Sequence, residues 1–259
     1  MNTDENRPGL ESVRSTIYGE SDAISHRRLI CVYLCQYVVS VLISAVVLAG
    51  CATRMTSADK GWTTLFDGGS TAAFRGFHTT GFPADQWKVH DGALVSVAGP
   101  GVDLITRDKF EDYVLELDWK VTRGANSGIL YGVSEETSET YWSGPEYQLN
   151  DDPNHNDGKT PKYSAGSLYD LIPPNADKHL QPTGEWNSSR IVSRGGHMEH
   201  WLNGRKILEY GWNLPATRDL IRHSKFGDKP LFMKDRNGHI ALQHHGAEVW
   251  FRNIRIRRL

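Results

Sequence analysis

Gly238-His-Ile-Ala-Leu-Gln-His-His-Gly-Ala-Glu-Val-Trp-Phe-Arg-Asn-Ile-Arg-Ile-Arg257 is the stretch whose pattern decides the fold class. Apolar side chains alternate through Ile240 and Leu242, then through Val249 and Phe251. Past Arg252 and Asn253 the alternation resumes at Ile254 and Ile256. A two-residue period marks strands with one buried face. The stretch reads as two strands joined by a short Gly-Ala loop. Gln243, His244, His245 and Arg252 ride on this expected hairpin, so an amide, two imidazoles and a guanidinium should meet on its polar side.

The same period recurs upstream. Tyr113, Leu115, Leu117, Trp119 and Val121 fall on one face of a strand, and Glu116, Asp118 and Lys120 on the other. Shorter strands are predicted at 129–133 and 146–149. Asp91-Gly92, Gly195-Gly196 and Asn203-Gly204 separate apolar runs with residues that accept positive φ, a hairpin signal. Only residues 215–225 read as helix, with Pro215 in the first turn and Leu220 and Ile221 as the apolar contact. Many short strands between turns predict an all-β sandwich or barrel. No internal repeat or second globular domain is evident, so one domain is expected over 61–259.

Residues 29–50 are apolar and uncharged, follow Arg27-Arg28, and end in Leu48-Ala49-Gly50-Cys51. A basic flank, an apolar run and small residues at a cut site make a secretory signal. Cys51 in that setting is the expected site of lipid attachment in a bacterial lipoprotein, with 51–60 as a spacer. An uncut membrane anchor is the alternative, since the run is long enough to span a bilayer. Either way the domain is expected on the cell envelope, outside the cytoplasmic membrane. All three cysteines (Cys31, Cys35, Cys51) precede the predicted domain, which excludes a cysteine nucleophile and a Cys-ligated zinc there. The net charge of −2, with both signs interspersed, argues against nucleic acid as a partner.

Several residues stand out as candidates for chemistry. Glu146 and Gln148 are two apart on a predicted strand and share a face, opposite Tyr147 and Leu149. A carboxylate beside an amide can hold sugar hydroxyls or exchange a proton. Asp151 and Asp152 are either a strand-ending turn or ligands for a divalent cation. His200 and His245 are candidate bases, because imidazole exchanges protons near neutral pH. The polar loop between Asp151 and Ser164 is long enough to carry function.

Taken together, Asn126-Ser-Gly-Ile-Leu-Tyr131, Glu146-Tyr-Gln148, Glu185-Trp-Asn187, His200-Trp-Leu-Asn-Gly204 and the C-terminal run resemble the 3-keto-disaccharide hydrolase family, over about residues 61–259. Two departures are visible: Gly132 follows Tyr131 where relatives often place Arg, and His244 stands where many have Asp. The resemblance implies a concanavalin A-like jelly roll of two curved antiparallel sheets. It also implies an enzyme acting on glycosides oxidised at C3, by C2 proton abstraction, β-elimination and hydration. His245 or His200 would be the base, Arg252 or a divalent cation the electrophile, and Glu146 the acid/base partner. Asn126, Tyr131, Trp142, Gln148, Tyr169 and Gln243 would contact the sugar. Laminarinase-type jelly rolls carry three acids on one strand; here Glu116-Leu-Asp118 lacks the third, so retaining hydrolysis is not expected on it. A non-catalytic carbohydrate-binding domain is the rival reading, because the same scaffold hosts lectins.

Overall fold

The structure, a computed structural model, describes residues 61–259. Cys51 and residues 29–50, the expected signal, lie outside the described residues. Among the described residues thirteen strands run in chain order: β1 (Trp62–Phe66), β2 (Phe74–Gly76), β3 (Trp87–His90), β4 (Ala93–Ser96), β5 (Leu104–Thr106), β6 (Tyr113–Val121), β7 (Asn126–Val133), β8 (Glu146–Asn150), β9 (Asn187–Arg194), β10 (His197–Leu202), β11 (Arg205–Gly211), β12 (His239–Leu242) and β13 (Val249–Arg258). Among the described residues one α-helix, α1 (Pro215–Arg222), follows β11.

The strands form two antiparallel sheets, as expected for a jelly-roll sandwich. The larger has the order β11-β10-β9-β6-β13-β4-β3, with β1 also paired to β13. The smaller is β2-β5-β12-β7-β8. Between them lies one apolar core. Leu115, Leu117, Trp119, Phe251, Ile254 and Ile256 fill it from the larger sheet. Ile129, Tyr131, Tyr147, Leu149, Ile240 and Leu242 fill it from the smaller.

The dipeptide turns form as read. Asp91 and Gly92 (φ 47° and 71°) close β3–β4, and Asn203 and Gly204 (φ 48° and 80°) close β10–β11. Each pair has the two positive φ values that match the twist of flanking strands. In β13 the register shifts between Arg252 and Arg255, with Asn253 at φ 53°, which explains why the alternation skips a residue there. In α1, Ile221 is buried but Leu220 is 41% exposed, so only one of the two expected contacts is made.

The C-terminal stretch departs from expectation. β12 and β13 do not pair. β12 lies between β5 and β7 in the smaller sheet, and β13 between β6 and β4 in the larger. The 243–248 segment therefore crosses from one sheet to the other. Its alternation is genuine, but each strand serves a different sheet.

Candidate functional site

The outer face of the smaller sheet carries the polar residues that the inner face cannot. In the β7–β8 ladder Asn126 pairs with Asn150, Gly128 with Gln148, and Leu130 with Glu146. These residues point away from the core, while Tyr147 and Leu149 point into it. Gln243 follows β12, and its N–H donates to the carbonyl of Gly128 (2.9 Å). Asn126, Glu146, Gln148 and Gln243 thus gather on one face. Loops complete a cavity of about 230 Å³, lined by these four and by Tyr141, Tyr169, Lys225 and His245.

Gly128 has a specific role in this floor. A methyl group at 128 would occupy the space of the Glu146 carboxyl. The glycine in Asn126-Ser-Gly128 therefore lets that carboxyl lie across the strand, a close approach available only without Cβ.

Burial pushes the Glu146 carboxyl up to about 8; Asp103 and Asp157 raise it too, and Lys225 draws it down. At neutral pH it is mostly protonated and can act as an acid. Around it, both amide atoms of Gln148, Oδ1 of Asn126 and Oε1 of Gln243 are buried with no hydrogen-bond partner among the described residues. Leaving a buried polar group unpaired costs about 1–3 kcal/mol. A group of them facing one cavity suits a ligand rich in hydroxyls. The Lys225 ammonium sits 4.2 Å from the Tyr169 ring and 6.0 Å from the Tyr141 ring, which holds a positive charge over the opening.

Larger depressions lie elsewhere on the described surface. One of about 700 Å³ lies over the larger sheet, beside Glu116, Asp118, Arg190, Trp201 and Arg255. There Glu116 is paired with Arg190 (2.7 Å) and Arg255 (2.7 Å). Charges so paired need no ligand, unlike the amides of the smaller cavity.

Of the residues selected from sequence, Asn126, Glu146, Gln148, Tyr169, Gln243 and His245 come together here. The others do not. His200 faces the interior and is fully buried. Its Nδ1–H donates to the Gly166 carbonyl (3.0 Å), so its Nε2 accepts from the Tyr131 hydroxyl (2.7 Å). Burial lowers its pKa to about 4. It is a neutral core histidine, and its partner Tyr131, 1% exposed, cannot stack on a sugar.

Arg252 is displaced because β13 belongs to the other sheet. Its Nε donates to Asp118 (3.3 Å), and its guanidinium lies 3.9 Å from the Trp186 ring. Exposed pairs of this kind contribute little. Arg252→Ala is expected to leave kcat/KM within about twofold of wild type and stability within about 1 kcal/mol, checked by kinetics and thermal unfolding.

Trp142 sits in a 3₁₀ turn (Thr140–Trp142) under Lys229 (4.7 Å), and its neighbour Tyr141 takes the place in the cavity wall. Asp152 is not available to a cation. It accepts from Lys178 (2.5 Å), Asn150 (3.0 Å) and the Ala165 N–H (2.9 Å). Asp151 is likewise committed, to Gly124 (2.6 Å) and Thr183 (2.6 Å). At the two departures noted from sequence, Gly132 (φ 64°) packs against Trp212, and the His244 ring meets Trp87 edge-on (5.6 Å).

Lys225 and Tyr141 were not singled out from sequence. Lys225 reads there as a charge near the end of the predicted helix, and nothing local says that it turns over the smaller sheet.

Residues 61–257 match the model of the 3-keto-alpha-glucoside-1,2-lyase-like domain. A 3-keto-disaccharide hydrolase of Bacteroides thetaiotaomicron is 36% identical over 228 residues, covering 76% of this chain and 78% of that protein. Two crystal structures from Parabacteroides distasonis, both provisionally named glycosyl hydrolases, share the fold. One is 31% identical with a TM-score of 0.73 and covers 79% of this chain and 98% of its own. The other is 28% identical with a TM-score of 0.63 and covers 76% and 99%.

Proposed function

The chain belongs to the 3-keto-alpha-glucoside-1,2-lyase-like family, and on that premise we propose that its outer-face cavity cleaves 3-keto-glycosides by elimination and hydration. The observation that carries this reading is the set of unpartnered buried amide atoms around a carboxyl that is mostly neutral at pH 7. The amides of Gln148, Asn126 and Gln243 hold the sugar hydroxyls, and Tyr169 and Tyr141 flank the ring.

His245 takes the proton from C2, which the neighbouring ketone acidifies. The electron pair moves toward the C3 oxygen, where the Lys225 ammonium stabilises the developing enolate. The enolate then expels the C1 oxygen, and Glu146 gives its proton to the departing aglycone. Water adds across the resulting C1–C2 double bond, returning hydrogen to C2 and hydroxyl to C1. The net products are the free 3-keto sugar and the aglycone alcohol. Lys225 replaces Arg252 as the electrophile, and no cation is needed in this route.

The test is incubation with a 3-keto-glucoside bearing a chromogenic aglycone, with and without chelator, over a range of pH. Release of the aglycone should persist with chelator and fall as pH rises through about 8, where Glu146 loses its proton. A C2-deuterated substrate should react more slowly or lose its label. Full label retention at normal turnover rejects the elimination, and tight binding of unoxidised sugars without turnover of any 3-keto compound supports a lectin.

The Leu48-Ala49-Gly50-Cys51 run further supports a lipid anchor on Cys51, placing the enzyme on the bacterial envelope. Cys51→Ser is expected to leave the precursor unprocessed or release it from membrane fractions. An unmodified, uncleaved N-terminus found by mass spectrometry in the native host would rule the anchor out.

A further inference from the structure

Asp103 lies just before β5 and makes two hydrogen bonds that join distant parts of the chain. Its Oδ1 accepts the backbone N–H of His244 (2.7 Å), 141 residues away. Its Oδ2 accepts a short hydrogen bond from the Thr140 hydroxyl, 37 residues away. Each partner is next to residues of the cavity wall. Thr140, 1% exposed, precedes Tyr141, and His244 stands between Gln243 and His245. The His244 side chain makes no such link, since its ring packs beside Gly101 and Trp87 and its Nε2 is unpartnered.

We propose that Asp103 is a positioning residue: one carboxylate clamps the 3₁₀ turn bearing Tyr141 to the crossover bearing Gln243 and His245, and so sets the spacing of the two walls. The proposal rests on the 3-keto-glycoside reading for its kinetic consequences, but the clamp itself can be measured without substrate. The strands hold the floor of the cavity through their ladders. Its walls are loops, and a loop holds its place through side-chain bonds of this kind. A wall displaced by about 1 Å can cost about 10²-fold in rate.

The charge of Asp103 has a second effect. It raises the proton affinity of Glu146, in company with Asp157 and against Lys225. Asp103 is itself raised by burial and lowered by its bonds to Thr140 and His244, with Glu139 adding to the rise. Tyr141, Tyr169 and His245 are the remaining titratable groups on the cavity.

Three variants separate clamp from charge. Asp103→Ala removes both. Asp103→Asn keeps both bonds, with the amide donating to Thr140 and its oxygen accepting from His244, but removes the charge. Thr140→Val cuts one arm. Asp118→Asn, on the other sheet, is the control. Asp103→Ala should lower kcat/KM on the 3-keto-glucoside about 10–100-fold and speed amide exchange in 140–144 and 243–246. Asp103→Asn should keep KM within about threefold, because the positioning bonds survive. A carbon-13 titration of the Glu146 carboxyl, without substrate, should give a lower midpoint in both Asp103 variants and an unchanged one in Asp118→Asn.

If Asp103→Ala does not fold, Thr140→Val carries the test, with faster exchange confined to 140–144 and a raised KM. Wild-type kinetics, wild-type exchange in both segments and an unmoved Glu146 midpoint would overturn the proposal. A wild type inactive on every 3-keto-glycoside would sink the functional reading instead, and the exchange and titration results would still decide the clamp.

Discussion

Glu146→Gln is expected to lower kcat on a 3-keto-glycoside about 10²–10⁴-fold, the range of a lost general acid. It is also expected to make the folded domain more stable at pH 8. The two effects have one origin. Burial holds the Glu146 proton in the folded state up to about pH 8, whereas the unfolded chain releases it near the ordinary glutamate value of 4.5. Between those values the folded state binds more protons, so wild-type stability falls as pH rises. That contribution is complete below about 4.5 and lost through about 8. A glutamine never ionises and escapes the loss, which amounts to a few kcal/mol for a shift of this size. Denaturant unfolding at pH 5 and pH 8 checks it: the variant should gain on wild type between the two. A variant that loses stability at pH 8, or keeps wild-type turnover, would show that Glu146 is not the buried acid.

His200→Ala is expected to behave in the opposite way. Tyr210 donates to Tyr131, Tyr131 to His200, and His200 to the Gly166 carbonyl, so removing the imidazole leaves the Tyr131 hydroxyl without its acceptor and opens a void. Cavity and lost hydrogen bond together should cost about 3–5 kcal/mol. For a domain of this size that lowers Tm by roughly 10 °C. Turnover per folded molecule should stay within about threefold of wild type, because the ring faces the core rather than the cavity. Wild-type His200 also contributes acid sensitivity. Its folded pKa of about 4 lies below the ordinary histidine value of 6.5, so stability present above 6.5 is lost as pH falls through about 4. The variant should lack that component. A folded His200→Ala protein with turnover reduced a hundredfold would return His200 to the list of catalytic bases.

Much of the cavity floor was legible locally. Glu146 and Gln148 share a face because side chains alternate along any strand, whatever the strand pairs with. Tyr169 and Asn126 came from the family resemblance rather than from any local pattern. His200 was misplaced by the same rule. The alternation correctly puts it opposite Glu199 and Trp201, but whether that face is solvent or core depends on what covers it. Tyr131 and Tyr147 cover it, supplied by the second sheet.

By itself the sequence determined the longer strands, their two faces and the tight turns, but not the short β2 and β5 or the start of β7 at Asn126. Each rests on interactions within a few residues: the two-residue period, and the tolerance of Asp91-Gly92 and Asn203-Gly204 for positive φ. Only the tertiary structure decided which sheet each strand joins. A hairpin and a crossover between sheets about 10 Å apart show the same apolar alternation on either side of a few polar residues. That ambiguity placed Arg252 beside His245 in the reading, where the fold puts Arg252 on the larger sheet and His245 on the crossover beside the cavity of the smaller. Lys225 and Tyr141 reach the cavity, and Asp103 ties its walls together, only through loops folded over the smaller sheet, and contacts between residues so far apart in the chain leave no local periodicity to read.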